Sequence, residues 1–403
     1  MELRVRDVIN QVRSKGDRAL LEFTRLFDRT DVSLKGLRVS KAEIDAAYSE
    51  AAPEDLRALK YLYKRLSRIE TRKLRAVNYT YDDGKIKLRQ VTRPIRSVGC
   101  YIPGGRATYP STALMTIVPA KVAGVPRIVL CSPPSKGGEI EPLVLVAAGL
   151  CGVDEVFRVG GAQAIAAMAY GTESIKALDK IVGPASKFVT MAKRLVNDVV
   201  AIDLPAGPSE LIVLADDSAD PRIVTSDLIS QAEHAPDNIS ILVTTSQKVR
   251  DEVAVKISEV LGRLERKETV EEALDQKGAL LLAKSMEQAI DFVNRFGPEH
   301  LEIFSKKASD LAQKVSAAGI ILLGKYTPVA ASDYCLGTNH VLPAMGFAQT
   351  YSGLSVYDYV KMMSVVECRR SALKTMLRPA RTLSRREGLP NHYLALAGRF
   401  GLD

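Results

Sequence analysis

Four histidines are the whole histidine content of this 403-residue chain, and each sits in a short polar motif. They are His234 in Gln231-Ala232-Glu233-His234, His300 in Gly297-Pro298-Glu299-His300, His340 in Gly337-Thr338-Asn339-His340, and His392 in Leu389-Pro390-Asn391-His392. Histidine is the commonest metal ligand and the side chain that titrates nearest neutral pH. Each of these four has an Asp, Glu, Gln or Asn within eight residues. That usage points to one metal-assisted catalytic site.

Gln231 and His234 are three apart on a segment that reads as a helix, opened by Asp220-Pro221 and closed before Pro236. Both therefore fall on one face, where two polar side chains can chelate a cation. A solvated helix face is the other reading. Asp333 and His340 are expected in a Gly-, Ser- and Asn-rich loop after an apolar strand, and His392 in a C-terminal loop. Gln, His, Asp and His form a nitrogen and oxygen set without thiolate, which suits zinc and tolerates manganese or cobalt. A ligand so far along the chain needs long-range folding or donation from a second subunit. Glu299-His300 beside a Gly-Pro turn offers a carboxylate to activate water and an imidazole to shuttle protons; an exposed polar turn is the plainer alternative. Ser209 opens a strand but lacks a Gly-x-Ser-x-Gly elbow, so it is read as a hydrogen-bonding residue rather than a nucleophile.

The elements that must hold these residues read as α/β. Val5, Val8, Ile9 and Val12 mark an opening amphipathic helix. Gly16 stops it, and Asp17 is expected to cap a second helix that buries Leu20, Phe23 and Phe27. Charge-rich helix continues to about Arg75, and Tyr79 to Val91 alternates around Asp82-Asp83-Gly84 as a hairpin. From Val98, apolar runs at 128–131, 156–159, 211–214, 239–243 and 320–323 alternate with helical segments, the pattern of βα units on a mostly parallel sheet. Sequence after about Ser352 is helix-rich.

Gly-rich turns follow at Tyr101-Ile102-Pro103-Gly104-Gly105, Val159-Gly160-Gly161-Ala162-Gln163 and Val182-Gly183-Pro184-Ala185. They suit phosphate contact or plain turn chemistry equally, and no Gly-x-Gly-x-x-Gly fingerprint is present.

Composition sets limits. At 46% hydrophobic and 26% charged, the chain is an ordinary globular one, long enough for two to three domains. The net charge of +9 is dispersed, which fits small anionic ligands better than a nucleic acid. Five cysteines without CxxC spacing indicate a reducing, cytoplasmic setting. Met1 leads directly into a charged helix, so no signal peptide is expected, and no apolar run reaches the roughly 18 residues of a membrane span.

Six blocks in order resemble the histidinol dehydrogenase family: 98–105, 160–166, 206–210, 230–234, 297–301 and 337–343. The resemblance covers essentially the whole chain. It implies two incomplete Rossmann-like domains with mostly parallel sheets and a small helical C-terminal segment. The boundaries expected are 1–100 with 209–353 for the metal and catalytic domain, 101–208 for the NAD-binding turns, and 354–403 for the C-terminal segment. It implies oxidation of L-histidinol through the aldehyde to L-histidine with two NAD, the last steps of histidine biosynthesis, and one zinc per subunit.

Carried over residue by residue, Gln231, His234, Asp333 and His392 look like the zinc ligands and also face substrate. Glu299 looks like the base that activates water, and His300 like the acid–base group that also contacts substrate. Ser209, His340 and Glu387 look like further substrate contacts, and Tyr101, Gln163 and Ser186 match positions that touch NAD. The family is a homodimer whose C-terminal segment completes the partner's site.

Two departures stand out. Gly183-Pro184-Ala185-Ser186 replaces the family's Gly-Pro-Gly-Asn, which bears on cofactor affinity. The chain also begins near the family's first helix, so an N-terminal arm is expected to be short and the dimer held differently. The competing readings are a paralogue oxidising another polar alcohol, a zinc hydrolase with Glu299 on metal-bound water, and a non-catalytic nucleic-acid or scaffold protein.

Overall fold

The computed structural model describes residues 1–104, 108–153, 155–184, 186–204 and 207–402. Gly105, Ala185 and Ala206, singled out above, lie outside the described residues.

The apolar runs form the strands expected of them. In chain order these are β1 (Tyr79–Asp82), β2 (Ile86–Pro94), β3 (Ser97–Tyr101), β4 (Arg127–Ser132), β5 (Glu155–Arg158), β6 (Lys180–Val182), β7 (Ala201–Ile202), β8 (Glu210–Ala215), β9 (Ile239–Thr244), β10 (Gly278–Leu282), β11 (His300–Phe304), β12 (Ile320–Leu323) and β13 (Val360–Cys368). One parallel sheet has the order β5-β4-β3-β6-β7 and a second the order β10-β9-β8-β11-β12. In both, the earliest strand is central, two successors extend to one side and the next two to the other. That is the order of a Rossmann half, so the two incomplete Rossmann-like units are present. β3 and β8 are buried along their whole lengths, which is why they read as unbroken apolar runs rather than alternating ones.

The opening helix, Glu2–Lys15, buries Val5, Val8, Ile9 and Val12 and ends at Gly16 with φ 56. Asp17 does not cap the next helix. Its side chain is buried and accepts the Ser174 hydroxyl at 2.6 Å, while Phe27 is exposed. The first four helices pack on the helices of the β3 sheet: Glu2–Lys15 and Asp17–Phe23 on Gly161–Tyr170, Lys41–Glu50 on Pro142–Leu150, and Pro53–Ala76 on Pro110–Ala123. Residues 1–76 therefore pack largely on the helices of the β3 sheet. An amphipathic stripe says that a face is buried but not which sheet it covers.

The hairpin of β1 and β2 forms with Asp82 opposite Lys87, and β13 pairs antiparallel with β2 along its whole length, from Val360 opposite Pro94 to Cys368 opposite Ile86. The segment after 353 is thus a long strand followed by helices Arg370–Arg386 and Pro390–Ala397, rather than helix alone. β13 is exposed from residue 361 onward. The five cysteines are free thiols. Among the described residues no helix is long and apolar enough to cross a membrane.

Candidate active site

In the β8 sheet the chemistry-bearing residues gather at the amino ends of the strands. Glu210 is the first residue of β8 and His300 the first of β11, and the pairing of Leu211 with His300 sets Glu210 beside Glu299. The two acids clasp each other's backbone: Glu210 N–H donates to Glu299 Oε2 at 2.9 Å, and Glu299 N–H donates to Glu210 Oε2 at 3.4 Å. Met345 N–H donates to Glu210 Oε1 at 2.9 Å. The first N–H groups of parallel strands have few partners, so this edge is suited to holding carboxylates. Burial pushes the Glu299 carboxyl well above the usual range; the Glu210 N–H opposes that shift, and the charges of Glu210 and Asp333 add to it.

Glu210 is a site residue the sequence reading passed over. Its only local signal is an acid opening a fully apolar strand.

His300 is buried, and its Nδ1 lies 3.1 Å from the Glu210 carbonyl. A carbonyl only accepts, so Nδ1 carries the proton and Nε2 is left as an acceptor with no partner. Burial lowers the ring's pKa to about 4, with the charges of His234 and His340 acting in the same sense. At neutral pH His300 is a neutral base with one free lone pair.

Helix Pro221–Ala232 starts as expected, with Asp220 capping the N–H of Arg222. It runs back toward the amino edge and delivers Gln231, whose Nε2 is buried without a partner. His234 follows the helix, its Nδ1 3.2 Å from the Gln231 carbonyl. Asp333 lies in a short helix, Val329–Tyr334, not in a loop. Its carboxyl is raised to about 6 by burial, with His234 pulling it back down. His340 is half-buried in the group, and burial of its ring lowers its pKa to about 4. Both its ring nitrogens are engaged: Nδ1 at 3.3 Å from the Asp333 carbonyl and Nε2 at 3.1 Å from Thr112 Oγ1, on helix Pro110–Ala123 of the other sheet. Ser209 precedes β8, and its hydroxyl hydrogen-bonds Glu299.

The structure does not bring His392 to this group within the chain. It is exposed on helix Pro390–Ala397, not in a loop, and Glu387 is exposed at the end of helix Arg370–Arg386. Among the described residues no three His, Cys, Asp or Glu side chains gather where they could hold a metal ion. Gln231, His234 and Asp333 therefore offer three nitrogen or oxygen donors, one short of a closed tetrahedral set. The unpartnered Gln231 amide nitrogen fits that function, since the amide oxygen and nitrogen exchange places by a simple flip.

The β3 sheet presents its carboxyl edge. Tyr101 ends β3, and its hydroxyl accepts Gly161 N–H at 3.2 Å. Gln163, in the first turn of helix Gly161–Tyr170, is buried with both amide atoms unpartnered. Ser186 is exposed at the start of helix Lys187–Leu195, its side chain capping nothing. A Cβ on Gly160 would sit 2.4 Å from Pro133 Cβ, and one on Gly183, at φ 121, would sit 2.1 Å from the Tyr101 carbonyl oxygen.

A buried ion pair grips the Gly183 turn. Gly183 N–H donates to Asp203 Oδ2 at 2.7 Å, Lys193 Nζ donates to the Gly183 carbonyl at 2.9 Å, and Lys193 pairs with Asp203. β4 and β5 extend to one side of β3 and β6 to the other, so the crevice between β3 and β6 is the topological switch point, where such sheets bind ligands. Two helix N-termini and an orphaned amide there fit a phosphate-bearing dinucleotide.

A parallel-sheet pair with a glycine-lined switch point facing a buried Glu-His-Asp cluster defines a dehydrogenase-type enzyme of α/β architecture. Comparison with known proteins makes this specific: the family model described as histidinol dehydrogenase matches residues 1–400, and the chain belongs to that family. The chain is 43% identical over 395 residues to histidinol dehydrogenase of Methanosarcina mazei, covering 98% of this chain and 90% of that protein. It is 44% identical to histidinol dehydrogenase of Vibrio parahaemolyticus, covering 98% and 91%. The crystal structure of histidinol dehydrogenase from Elizabethkingia anophelis superposes with a TM-score of 0.94 at 35% identity, covering 98% of this chain and 91% of that one.

Proposed function

We propose that the protein oxidises L-histidinol through the aldehyde to L-histidine with two NAD, the last steps of histidine biosynthesis, using one zinc ion per subunit. The observation that carries this reading is the pair at the head of β11, a neutral His300 with a free Nε2 beside a clasped Glu299. Zinc, held by Gln231, His234 and Asp333 with His392 of a second copy, would position the amine and imidazole nitrogens of the substrate, and NAD would accept the hydrides.

His300 Nε2 takes the hydroxyl proton as the alcohol carbon loses its hydride. Its Nδ1–H stays on the Glu210 carbonyl, so the ring keeps one orientation throughout. For the second oxidation Glu299 removes a proton from water as it adds to the aldehyde. A cation beside Glu299 and Asp333 would offset the raised pKa of both carboxyls and keep Glu299 ionised. Ser209 and His340 line the same recess; His340 must release Thr112 before it contacts a ligand. At the switch point, Gln163, Tyr101 and Ser186 would hold NAD.

The fourth ligand requires a homodimer. The exposed β13 ribbon and the terminal helices carry Met362, Val366, Leu383, Leu389 and Leu394 on their surface, apolar area that a second copy would cover.

The test is NADH formation from L-histidinol and NAD with added zinc and with a strong chelator. The expected result is two NADH per histidine, lost with the chelator. Turnover without NAD would establish the hydrolase instead. Zinc binding without turnover of histidinol would point to another polar alcohol.

A further inference from the structure

Behind Glu299 and His300 lies a second pair of acids. Glu302 is two residues past His300 on β11, so both side chains leave one face of the strand. Asp227 is four residues before Gln231 on helix Pro221–Ala232, so these two share a face of the helix. Glu302 and Asp227 are both buried, and their carboxyls lie within hydrogen-bonding reach of each other. Glu302 Oε1 accepts the N–H of Val329 at 2.8 Å. Val329 opens the helix that carries Asp333 one turn later.

The hydrogen-bond inventory of this pair does not close for two carboxylates. Asp227 Oδ2 and Glu302 Oε2 are buried and meet no N–H or O–H. Ionised carboxyls only accept, so two facing each other leave two buried charges unsatisfied. The pair at the strand heads differs, because backbone N–H groups donate to Glu210 and to Glu299 alike. A single proton on Glu302, donated to Asp227, satisfies both orphaned oxygens at once. Burial and the neighbouring Asp227 charge both favour protonation of Glu302.

We infer that Glu302 is a protonated positioning residue: it donates its proton to Asp227, accepts the Val329 amide, and so fixes the strand of His300, the helix of Gln231 and the helix of Asp333 against one another. What the fixed groups do rests on the proposed function. The tie itself is a set of hydrogen bonds that can be read without turnover.

Infrared difference spectra of the full-length protein at neutral pH, wild type against Glu302→Gln, should show a protonated-carboxyl stretching band that the variant lacks. Glu302→Gln keeps an oxygen for Val329 and supplies an N–H to Asp227, so it should retain the melting temperature and the affinity for zinc alone. Glu302→Leu removes both bonds and should weaken zinc binding about 10–100-fold, the usual cost of losing a second partner behind a ligand. If Glu302→Leu does not fold, the band and the glutamine variant still decide. A wild type without the band overturns the inference, as does zinc affinity lost equally in the glutamine and leucine variants or unchanged in both. A wild type that shows the band but does not oxidise histidinol would overturn the proposed function and leave this tie standing.

Discussion

The β3 and β8 sheets share one strand order and work from opposite edges. The β3 sheet uses its carboxyl edge, where two helices begin and glycines clear space beside Tyr101. The β8 sheet uses its amino edge, where Glu210 and His300 start their strands and Glu299 stands just before His300. The difference follows from what each edge supplies. A carboxyl edge followed by helix N-termini offers N–H groups and positive dipole ends, which suit phosphates. An amino edge offers the first N–H groups of strands, which here hold two acids close together. Thr112 reaching His340 ties the two edges to each other, as required if a hydride is to pass between them. The switch-point rule thus singles out the carboxyl edge of the β3 sheet and says nothing of the amino edge of the β8 sheet.

The comparison breaks if a change at one edge disturbs the function of the other. The largest effect is expected for Glu299→Gln at the amino edge. Aldehyde oxidation should fall by about 10²–10⁴-fold, the range for a general base, with alcohol oxidation hit less and the Kd for NAD unchanged. Stopped-flow measurement of each half-reaction checks it, and equal losses in both steps would remove the assigned role. The acid limb of alcohol oxidation follows from His300. Its neutral form is the base and its pKa is lowered to about 4, so activity is retained as pH falls through the ordinary histidine value of about 6.5 and is lost only nearer 4. A break near 6.5 in kcat/KM that disappears in His300→Asn would contradict this.

The next effect concerns assembly. His392→Asn should lose zinc and activity as a homodimer. Mixed one to one with Glu299→Gln, it should regain about a quarter of wild-type activity, because half the dimers are hybrids and each hybrid has one intact site. No recovery after verified subunit exchange would mean that the site closes within one chain.

At the carboxyl edge, Gln163→Ala should raise the Kd for NAD by roughly 10–100-fold, the value of one or two hydrogen bonds to a buried amide, with kcat little changed. Fluorescence titration with NAD measures it. A fall in kcat with unchanged Kd would put Gln163 on the wrong side of the comparison.

Legibility from sequence divides along local and long-range lines. The helix of Val5, Val8, Ile9 and Val12, the hairpin at Asp82, and the helix start at Asp220-Pro221 were all readable, because each is a pattern within a few residues. The polar motifs around His234, His300 and His340 stand out in the sequence by residue type, and the structure brings those three near one another. Glu210, the Lys193–Asp203 pair and Glu302 were not readable. Each acts through a partner set by strand register or helix packing, as with Glu210 and Glu299, 89 residues apart. Asp333 and His392 were read as loop because a helix of six or eight residues is too short to show periodicity.

The smallest effect is the sharpest test of the carboxyl edge, because it adds a contact where none is present. Ser186 opens helix Lys187–Leu195 with an exposed side chain that caps nothing. The φ and ψ of −60° and 162° are ordinary extended backbone, so Asn enters without strain. The longer amide reaches farther into the crevice and can both donate and accept. Ser186→Asn should therefore tighten NAD by about 2–10-fold, the worth of one hydrogen bond, without changing the melting temperature or kcat. A titration showing no gain would mean that the cofactor lies out of reach of this helix start, and the switch point would then have to be served by Tyr101 and Gln163 alone.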